Sequence, residues 1–460
     1  MLCAHGSTRS RFYGKEEKKV KKKTFKGGVH PLSHIYHGKT LTEHKAAKVL
    51  EPPKEVVIPL SRIIGKEAKP LVQKGDYVKK GQLIGEADGF ISANVHSSVS
   101  GTVVKVENRP HPTGIKRLAV VIENDFKEDV ADTVVPRDIR KMSKEEIAQV
   151  VKDLGIVGMG GATFPTHVKL MPPKDTKIDY IIVNGAECEP YLTADHRLML
   201  EHPQDVIEGL KAVIKMFDVQ EGIIGIESNK EDAIELLQSF VGNEQKIKIV
   251  PLAPKYPQGA EKQLIHALTG RRVPAGGLPM EIGVIVLNVG TLAAIYKSIT
   301  TGMPLIERIV TVTGTCIKEP RNLIVRFGTT FQQCIDACGG LCDDTAKVIS
   351  GGPMMGIAQP DTQAPVIAGT SGILALNEDE TTIHEINNCI RCARCVEACP
   401  LKLMPLQISA AADAGRFAEA KKYNAMDCVE CGACTFICPS RRRLMQSIRL
   451  AKNAIRKSNL

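Results

Sequence analysis

The sequence contains no tryptophan, and aromatic residues make up only 4% of its 460 residues. It also lacks any run of about 18 consecutive apolar residues, so we expect no membrane-spanning helix. The longest apolar runs, such as 282–287, have the length of a buried strand. The amino terminus has no apolar core of the kind that secretory signals carry, so we expect the chain to stay in the cytoplasm.

The fourteen cysteines are numerous for a chain expected in a reducing compartment. Thiols stay reduced there, so the cysteines indicate metal binding more than disulfide formation. The chain is also longer than a single hydrophobic core usually supports, which predicts several domains.

The net charge of +10 is concentrated at the two ends of the chain. Residues 1–26 and residues 441–460 each carry a net +7, which leaves −4 on the residues between them. We expect residues 1–24 to form a basic disordered tail, with contact to anionic lipid or an acidic partner as the alternative. No zinc-finger or RNA-binding signature accompanies the charge, so nucleic acid is not an expected partner.

Residues 55–125 alternate between apolar and polar residues and are interrupted by Gly-Asp and Lys-Gly turns, as in a small β-sandwich. The stretch resembles the biotinyl/lipoyl hammerhead fold. Carrier members of that family have a modifiable lysine at a hairpin tip, whereas the matching residues 87–96 contain no lysine. We therefore expect a structural or docking role for residues 25–130.

Strand-like and helical patterns alternate along residues 143–300, which predicts an α/β domain with a mostly parallel sheet. The predicted strands are Tyr180–Val183, Gly222–Ile226, Ile247–Val250 and Val284–Leu287. Residues 303–365 read as strand, turn, strand and helix, and they resemble a small β-grasp module. From about Ile383 onward the pattern is helical and is interrupted by two groups of cysteines.

These cysteine groups form two copies of the bacterial ferredoxin motif, with the spacing Cys-x2-Cys-x2-Cys-x3-Cys-Pro. The fourth cysteine of each motif binds the cluster of the other motif. We therefore predict two neighbouring [4Fe–4S] clusters with crossed ligation. The ligands of the first are Cys389, Cys392, Cys395 and Cys438, and those of the second are Cys428, Cys431, Cys434 and Cys399. Zinc, the main alternative, has no use for the duplicated x3-Cys-Pro.

A second signal is a glycine-rich turn at residues 158–169, Gly-Met-Gly-Gly-Ala-Thr-Phe-Pro-Thr-His-Val-Lys. Closely spaced glycines let backbone N–H groups approach a phosphate, and Lys169 adds a cation. Polar segments at residues 184–190, 258–262 and 287–291 follow strands or precede a helix. Ligands bind α/β sheets at the carboxyl ends of the strands, so the four segments predict one site.

The same four segments, in this order, resemble the flavin-binding subunit of respiratory complex I, which binds FMN and NADH. The resemblance implies that Gly158, Gly160, Gly161 and Lys169 face FMN and that Phe164 stacks on the nicotinamide nucleotide. It implies a flavin site lined by Asn184, Glu187, Gly259, Glu261, Asn288 and Thr291, with Glu189 on the NADH side and Glu189 and Glu261 as catalytic residues. The sequence departs from that pattern at Met159, Ala186, Ala260 and Leu287.

The whole order, from Phe25-Lys26-Gly27-Gly28-Val29-His30 to about residue 445, resembles the RnfC family, the C subunits of ion-translocating Rnf complexes. The resemblance implies a multidomain α+β protein: a β barrel-sandwich domain (25–130), a Rossmann-like FMN/NADH domain (135–302), a β-grasp module (303–365) and an α-helical double-cluster ferredoxin domain (366–460). It implies electron relay between NADH or NAD+, FMN and the clusters, coupled to Na+ or H+ transport by the rest of a ferredoxin:NAD+ oxidoreductase.

The implied partners are the ferredoxin-like B subunit and the A, D, E and G subunits in the membrane, at the cytoplasmic face of the cell membrane. Two alternatives stay open: an NADH-dependent corrinoid reductase of bacterial microcompartments, which shares this domain order, and an electron-transfer protein without flavin. An apolar stripe at Leu444, Ile448, Ala451 and Ile455 predicts a basic carboxy-terminal helix that packs on its own domain or docks on a partner.

Overall fold

The computed structural model describes residues 22–31 and 38–458. The predicted disordered tail, residues 1–24, therefore lies almost wholly outside the described residues. Short 3-10 helices are found at Lys39–Leu41, Ile139–Lys141, Pro279–Ile282 and Ala425–Asp427.

A β-barrel follows the amino-terminal segment. One of its sheets pairs four strands in the order Glu55–Pro59, Lys116–Asn124, Gly101–Pro110 and Tyr77–Val78. The other pairs Lys69–Pro70, Leu83–Glu86 and Val95–His96. All pairings are antiparallel, and valine and isoleucine side chains from alternate positions, such as Val56, Ile58 and Ile122, fill the interior. This arrangement agrees with the predicted small sandwich.

A parallel sheet forms the centre of the molecule, in the order Ile247–Leu252, Glu221–Glu227, Tyr180–Gly185 and Val284–Asn288. Each of the four predicted strands is present within two residues at either end. The helices of this unit are Lys144–Asp153, Thr166–Leu170, Ala194–Glu201, Pro203–Phe217, Glu231–Val241, Glu261–Thr269 and Val289–Thr301. The first begins with the predicted capping box, in which Ser143 and Glu146 each accept the other's backbone N–H.

A six-stranded mixed sheet packs beside the parallel sheet. The strands lie in the order Lys48–Val49, Arg321–Arg326, Glu307–Thr313, Gly372–Asn377, Thr345–Ser350 and Ile357–Ala358. The helix Phe331–Asp336 follows the strand Arg321–Arg326 in the sequence. The strand Gly372–Asn377 lies in the middle, paired with Glu307–Thr313 and Thr345–Ser350. Our predicted limit of this module at 365 is therefore too early, because the buried side chains of Ile373 and Leu374 complete its core.

Short helices make up the carboxy-terminal unit: Glu378–Thr381, Arg394–Ala398, Pro405–Asp413, Phe417–Lys422, Ala433–Phe436 and Leu444–Ser458. The last helix buries Leu444, Ile448, Ala451 and Ile455 against the helices between the two cysteine groups. Its apolar stripe thus packs on its own domain, as the first of our two interpretations held. No helix in the described part of the chain has both the length and the apolar character needed to cross a membrane.

Candidate functional site

Two asparagines end neighbouring strands of the parallel sheet. Asn184 and Asn288 lie side by side in the strand register. The Asn184 side chain donates to the Gly259 carbonyl (2.8 Å) and accepts from the backbone N–H of Ala186 (3.2 Å). Asn288 accepts from the N–H of Gly290 (2.8 Å), in the first turn of the following helix. Each asparagine therefore holds the chain that leaves one strand, and three of the four predicted segments meet at this edge.

The glycine-rich turn is held over the same edge by its backbone. The N–H of Gly158 donates to the Phe164 carbonyl (2.8 Å), and the N–H of Met159 donates to the hydroxyl of Thr291 (3.0 Å). A Cβ placed on Gly161, where φ is +112°, would meet no atom within 4 Å. A bound group can thus approach this backbone closely, which fits a phosphate or a flavin ring.

Lys169 and Glu261 meet across the site. The Lys169 ammonium lies 2.9 Å from a carboxylate oxygen of Glu261 and 3.0 Å from the carbonyl of Val286. Both side chains are partly exposed, so a ligand can reach them. Glu261 is the first residue of the helix Glu261–Thr269, where its charge is favourable.

The two glutamates of segment 184–190 are bound by protein amides. Glu187 accepts from the backbone N–H groups of Asp195 (2.7 Å) and His196 (3.2 Å), at the start of the helix Ala194–Glu201. Glu189 accepts from those of Met354 (3.0 Å) and Met355 (2.9 Å), on a loop of the mixed sheet. Burial raises the pKa of both carboxyls to about 7. Direct contact of either side chain with flavin or nicotinamide stays a prediction.

Two buried lysines lie behind this segment, and no sequence pattern had pointed to either of them. Lys39 donates to the carbonyl oxygens of Glu187 (2.9 Å) and Leu192, and Lys230 donates to that of Ala186 (2.8 Å). Burial lowers the pKa of Lys39, and the nearby Glu187 carboxylate opposes that shift. The two ammonium groups fix the peptide planes of the segment and so shape the backbone that borders the site.

Arg308 reaches the glycine-rich turn from the mixed sheet. Its buried guanidinium donates to the carbonyls of Met159 (3.1 Å) and Ala368, and burial lowers its pKa to about 10. The complex I pattern has an arginine where this sequence has Met159, and here a guanidinium from another strand supports the turn. Of the other departures, Ala186 and Leu287 are buried in the protein core.

Seven of the eight motif cysteines fall into two groups in space. Cys399 lies with Cys428, Cys431 and Cys434 around one apolar cavity, which is also lined by side chains of the last helix, including Met445 and Ile448. These are the four cysteines predicted to share the second cluster. Burial raises the pKa of the Cys431 thiol to about 11 and that of the Cys434 thiol to about 12. Thiolate ligation would therefore release protons as the cluster binds.

The other group is more open to solvent. Cys395 lies close enough to Cys389 and Cys438 for their charges to interact, while Cys389 and Cys392 are exposed. Residues 391 and 393 have positive φ, as do residues 430 and 432 of the second motif, so both loops turn tightly between cysteines. No three His, Cys, Asp or Glu side chains within residues 22–31 and 38–458 converge as ligands of a single metal ion. The four cysteines around Cys431 border a cavity instead.

The second cysteine group touches the parallel-sheet unit. The hydroxyl of Tyr256 donates to the Cys431 carbonyl (2.7 Å), and the N–H of Gly28 donates to the Ala398 carbonyl (2.8 Å). Gln263, on the helix that Glu261 begins, reaches the Pro400 carbonyl at 3.4 Å. The group around Cys431 is therefore the one next to the candidate flavin site.

Four family models match the chain, in the order of its structural units. Residues 23–127 match the RnfC barrel sandwich hybrid domain, and residues 151–297 match the Nuo51 FMN-binding domain. Residues 309–358 match the SLBB domain, and residues 388–441 match the 4Fe-4S dicluster domain. These matches confirm the predicted cofactor classes, FMN and two iron–sulfur clusters, and the division into barrel, flavin and ferredoxin-like units.

Two relatives with high sequence identity are C subunits of ferredoxin:NAD(+) oxidoreductase complexes. The C subunit of the proton-translocating ferredoxin:NAD(+) oxidoreductase complex of Clostridium ljungdahlii is 47% identical over 94% of this chain and 94% of its own length. The Na(+)-translocating counterpart from Acetobacterium woodii is 48% identical over 95% and 98%. A solved NAD+-reducing [NiFe]-hydrogenase is 19% identical over 68% and 66%, with a TM-score of 0.49. By the identities and coverages of the first two, the chain belongs to the family of C subunits of ion-translocating ferredoxin:NAD+ oxidoreductase complexes.

Proposed function

We propose that this chain is the peripheral C subunit of a membrane-bound ferredoxin:NAD+ oxidoreductase and relays electrons between NADH, FMN and two [4Fe–4S] clusters. The observation that carries the proposal is the contact between the candidate flavin site and one cysteine group through Tyr256, Gly28 and Gln263. A flavin accepts two electrons as hydride and passes them on singly, which the one-electron clusters need. The contact provides a short route for that transfer.

The flavin would rest on backbone and on a few polar side chains. Gly158, Gly160 and Gly161 expose the turn to a ligand, and Lys169 supplies a cation for a phosphate. Asn184, Gly259, Glu261, Asn288 and Thr291 hold the three segments that border the same space. Phe164, which is partly exposed, and Glu189 would face the nicotinamide side.

Each cluster would take three thiolates from one motif and one from the other. The cluster of Cys399, Cys428, Cys431 and Cys434 is enclosed and lies next to the parallel-sheet unit. The cluster of Cys389, Cys392, Cys395 and Cys438 has two exposed ligands on a loop that also carries Arg391 and Arg394. We call the cluster of Cys399, Cys428, Cys431 and Cys434 the inner cluster and the other one the outer cluster. Electrons from the flavin would reach the inner cluster first and the outer cluster second, and an acidic redox partner could bind beside the outer cluster.

Ion transport would belong to the partner subunits. Both relatives described above are named as parts of ion-translocating complexes. The partners of this chain would be a ferredoxin-like B subunit and the A, D, E and G subunits in the membrane, at its cytoplasmic face. The corrinoid-reductase alternative has no comparable support among these names.

The test is to reconstitute the chain anaerobically with iron, sulfide and FMN and to add NADH. We expect flavin bleaching first and loss of cluster absorbance afterwards. Lys169→Ala should weaken FMN binding at least tenfold, because it removes the cation next to Glu261. The matched control is Lys262→Ala, since that neighbouring lysine donates to the Pro274 carbonyl at 3.2 Å and not to Glu261. A chain that assembles both clusters but retains no FMN and ignores NADH would support the flavin-free alternative.

A further inference from the structure

A single buried phenol connects the two halves of this pathway. Tyr256 is 1% exposed, and its hydroxyl donates to the backbone carbonyl of Cys431 at 2.7 Å. The same hydroxyl is within hydrogen-bonding reach of the Glu189 carboxyl. Tyr256 thus touches a predicted nicotinamide-side residue and a predicted cluster ligand at once.

The ring is closely packed on several sides. The backbone of Tyr256 exchanges two hydrogen bonds with Val29, at 2.9 and 2.7 Å. A Cβ on Gly28 would come within 2.5 Å of the Tyr256 carbonyl oxygen, so the amino-terminal segment lies directly against it. The ring packs among Val29, Ala398, Cys431 and Ala433. The hydroxyl is therefore held in place between its two partners.

The Glu189 carboxylate is fixed by the loop of the mixed sheet that contains residues 352–355. Two backbone N–H groups of the mixed-sheet loop bind its two oxygens, and Gly352 leaves no space beyond it, since a Cβ there would meet the carboxylate at 2.3 Å. A change at this carboxylate cannot be absorbed by its rotation. The Tyr256 oxygen is also fixed, so the change acts on the direction of its O–H bond, because the single proton lies between two acceptors, the Cys431 carbonyl and the Glu189 carboxylate.

We propose that Tyr256 is a positioning residue that couples the Glu189 carboxylate to the inner cluster, so that a change at Glu189 alters the one-electron reduction potential of that cluster. The inference rests on the proposed function for the identity of the cluster. The potential of a cluster depends on its electrostatic surroundings, which include net charge, hydrogen bonds to the sulfurs and exposure to solvent. The Tyr256 O–H is an oriented dipole at the backbone of one predicted ligand and so contributes to these surroundings. The coupling is reciprocal, so reduction of the cluster also changes the affinity of the Glu189 side for its ligand.

The direction of the effect follows from the donor. The O–H of Tyr256 points its positive end at the Cys431 carbonyl, and an added electron makes the cluster more negative. The hydrogen bond therefore favours the reduced cluster. Tyr256→Phe should lower the equilibrium constant for reduction of the inner cluster about tenfold, which is about 59 mV for one electron.

The experiment is an anaerobic redox titration of the reconstituted full chain, followed by electron paramagnetic resonance, without NADH or flavin. The variants are Tyr256→Phe, Glu189→Gln and the double variant. The matched control is Tyr191→Phe, since Tyr191 is also buried and donates to Glu380 at 2.9 Å, away from the motif cysteines. We expect Tyr256→Phe to shift one cluster only and Tyr191→Phe to shift neither.

The double variant separates coupling from simple proximity. The titration is run above pH 7, where the Glu189 carboxyl is ionised. Glu189→Gln then removes a negative charge and should raise the potential of the inner cluster. Most of this rise should disappear in the Tyr256→Phe background if the hydroxyl carries the effect. Additive effects would mean that Glu189 acts through space and would overturn the proposal, as would equal shifts of both clusters.

A second substitution covers the case in which Tyr256→Phe fails to assemble clusters. Site-specific fluorotyrosine at position 256 keeps the ring and makes the hydroxyl a stronger donor, so the potential should rise. An unchanged or lower potential overturns the proposal. These potentials are measured without NADH, so failure of the wild-type chain to oxidise NADH would count against the proposed function and not against this coupling.

Discussion

The buried pair of Lys230 and Glu227 offers the sharpest test of how the site backbone is supported. Their side chains are 2% and 3% exposed, and the ammonium lies 3.4 Å from the carboxylate. Lys230→Met keeps an unbranched side chain one atom shorter but leaves the Glu227 carboxylate buried without its charged partner. It also removes the donor to the Ala186 carbonyl, so the segment after the strand Tyr180–Gly185 loses a restraint.

The expected loss in the free energy of unfolding follows from the charges around the pair. Removing one partner of a buried ion pair costs about 3–5 kcal/mol. Lys39 interacts with the same group of charges, including Glu227, and partly replaces the missing cation. We therefore expect the lower end, about 3 kcal/mol, which is roughly 6–12 °C in Tm for a unit of this size. Thermal unfolding followed by circular dichroism measures it.

Two further variants show whether the uncompensated charge is the cause. The double variant with Glu227→Gln should recover most of the loss, because replacing both charges of a buried pair is close to neutral. Lys211→Met breaks a 2.8 Å pair with Glu208 that is partly exposed, and it should cost under about 1 kcal/mol. The reasoning fails if Lys230→Met is as mild as Lys211→Met, or if the double variant is less stable than either single variant.

Three other variants test separate parts of the geometry. Cys431→Ser should remove about half of the bound iron in reconstituted protein, whereas Cys334→Ser, a buried cysteine outside both motifs, should leave it unchanged by iron analysis. Because the pKa of Glu189 is raised in the folded chain, its contribution to stability is greatest below the usual glutamate pKa and is lost as pH rises through about 7. Glu189→Gln should therefore flatten the fall of Tm between about pH 5 and 7. An unchanged slope would contradict this. Gly209→Ala should destabilise by about 1–3 kcal/mol in denaturant unfolding, because its Cβ would lie 2.2 Å from the Leu292 carbonyl oxygen; a gain in stability would mean that helix propensity outweighs the clash.

Local patterns predicted the parts of the fold that local chemistry decides. The four parallel strands follow from apolar runs bounded by turns, and the Ser143 capping box follows from two residues three positions apart. The crossed ligation of the two clusters stays a prediction from the spacing of the motifs; the structure places Cys399 near Cys428, Cys431 and Cys434. In each case the information lies within a few residues, so a sequence pattern carries it.

Local sequence patterns could not predict contacts between residues that are far apart in the sequence. The strand Gly372–Asn377 reads locally as a short apolar run, and only its pairing with Glu307–Thr313 shows which module it completes. The stretch 406–423 between the two cysteine motifs has the composition of one helix, but it forms two, because Gly415, with φ +70°, follows the end of the first. Lys39 and Lys230 resemble any surface lysine until the carbonyls they bind are known. Their burial depends on residues more than 40 positions away.

The edge strand Lys48–Val49 has a consequence for how the chain folds. It pairs in parallel with Arg321–Arg326, although the entire barrel and the parallel-sheet unit lie between them in the sequence. Such distant contacts close late, because the entropy of a large loop must be lost before the pairing stabilises anything. During synthesis Lys48–Val49 cannot pair until Arg321–Arg326 has left the ribosome, which requires more than half of the chain to be made. We therefore expect the barrel and the parallel sheet to fold first as separate units, with the mixed sheet fastening them together last.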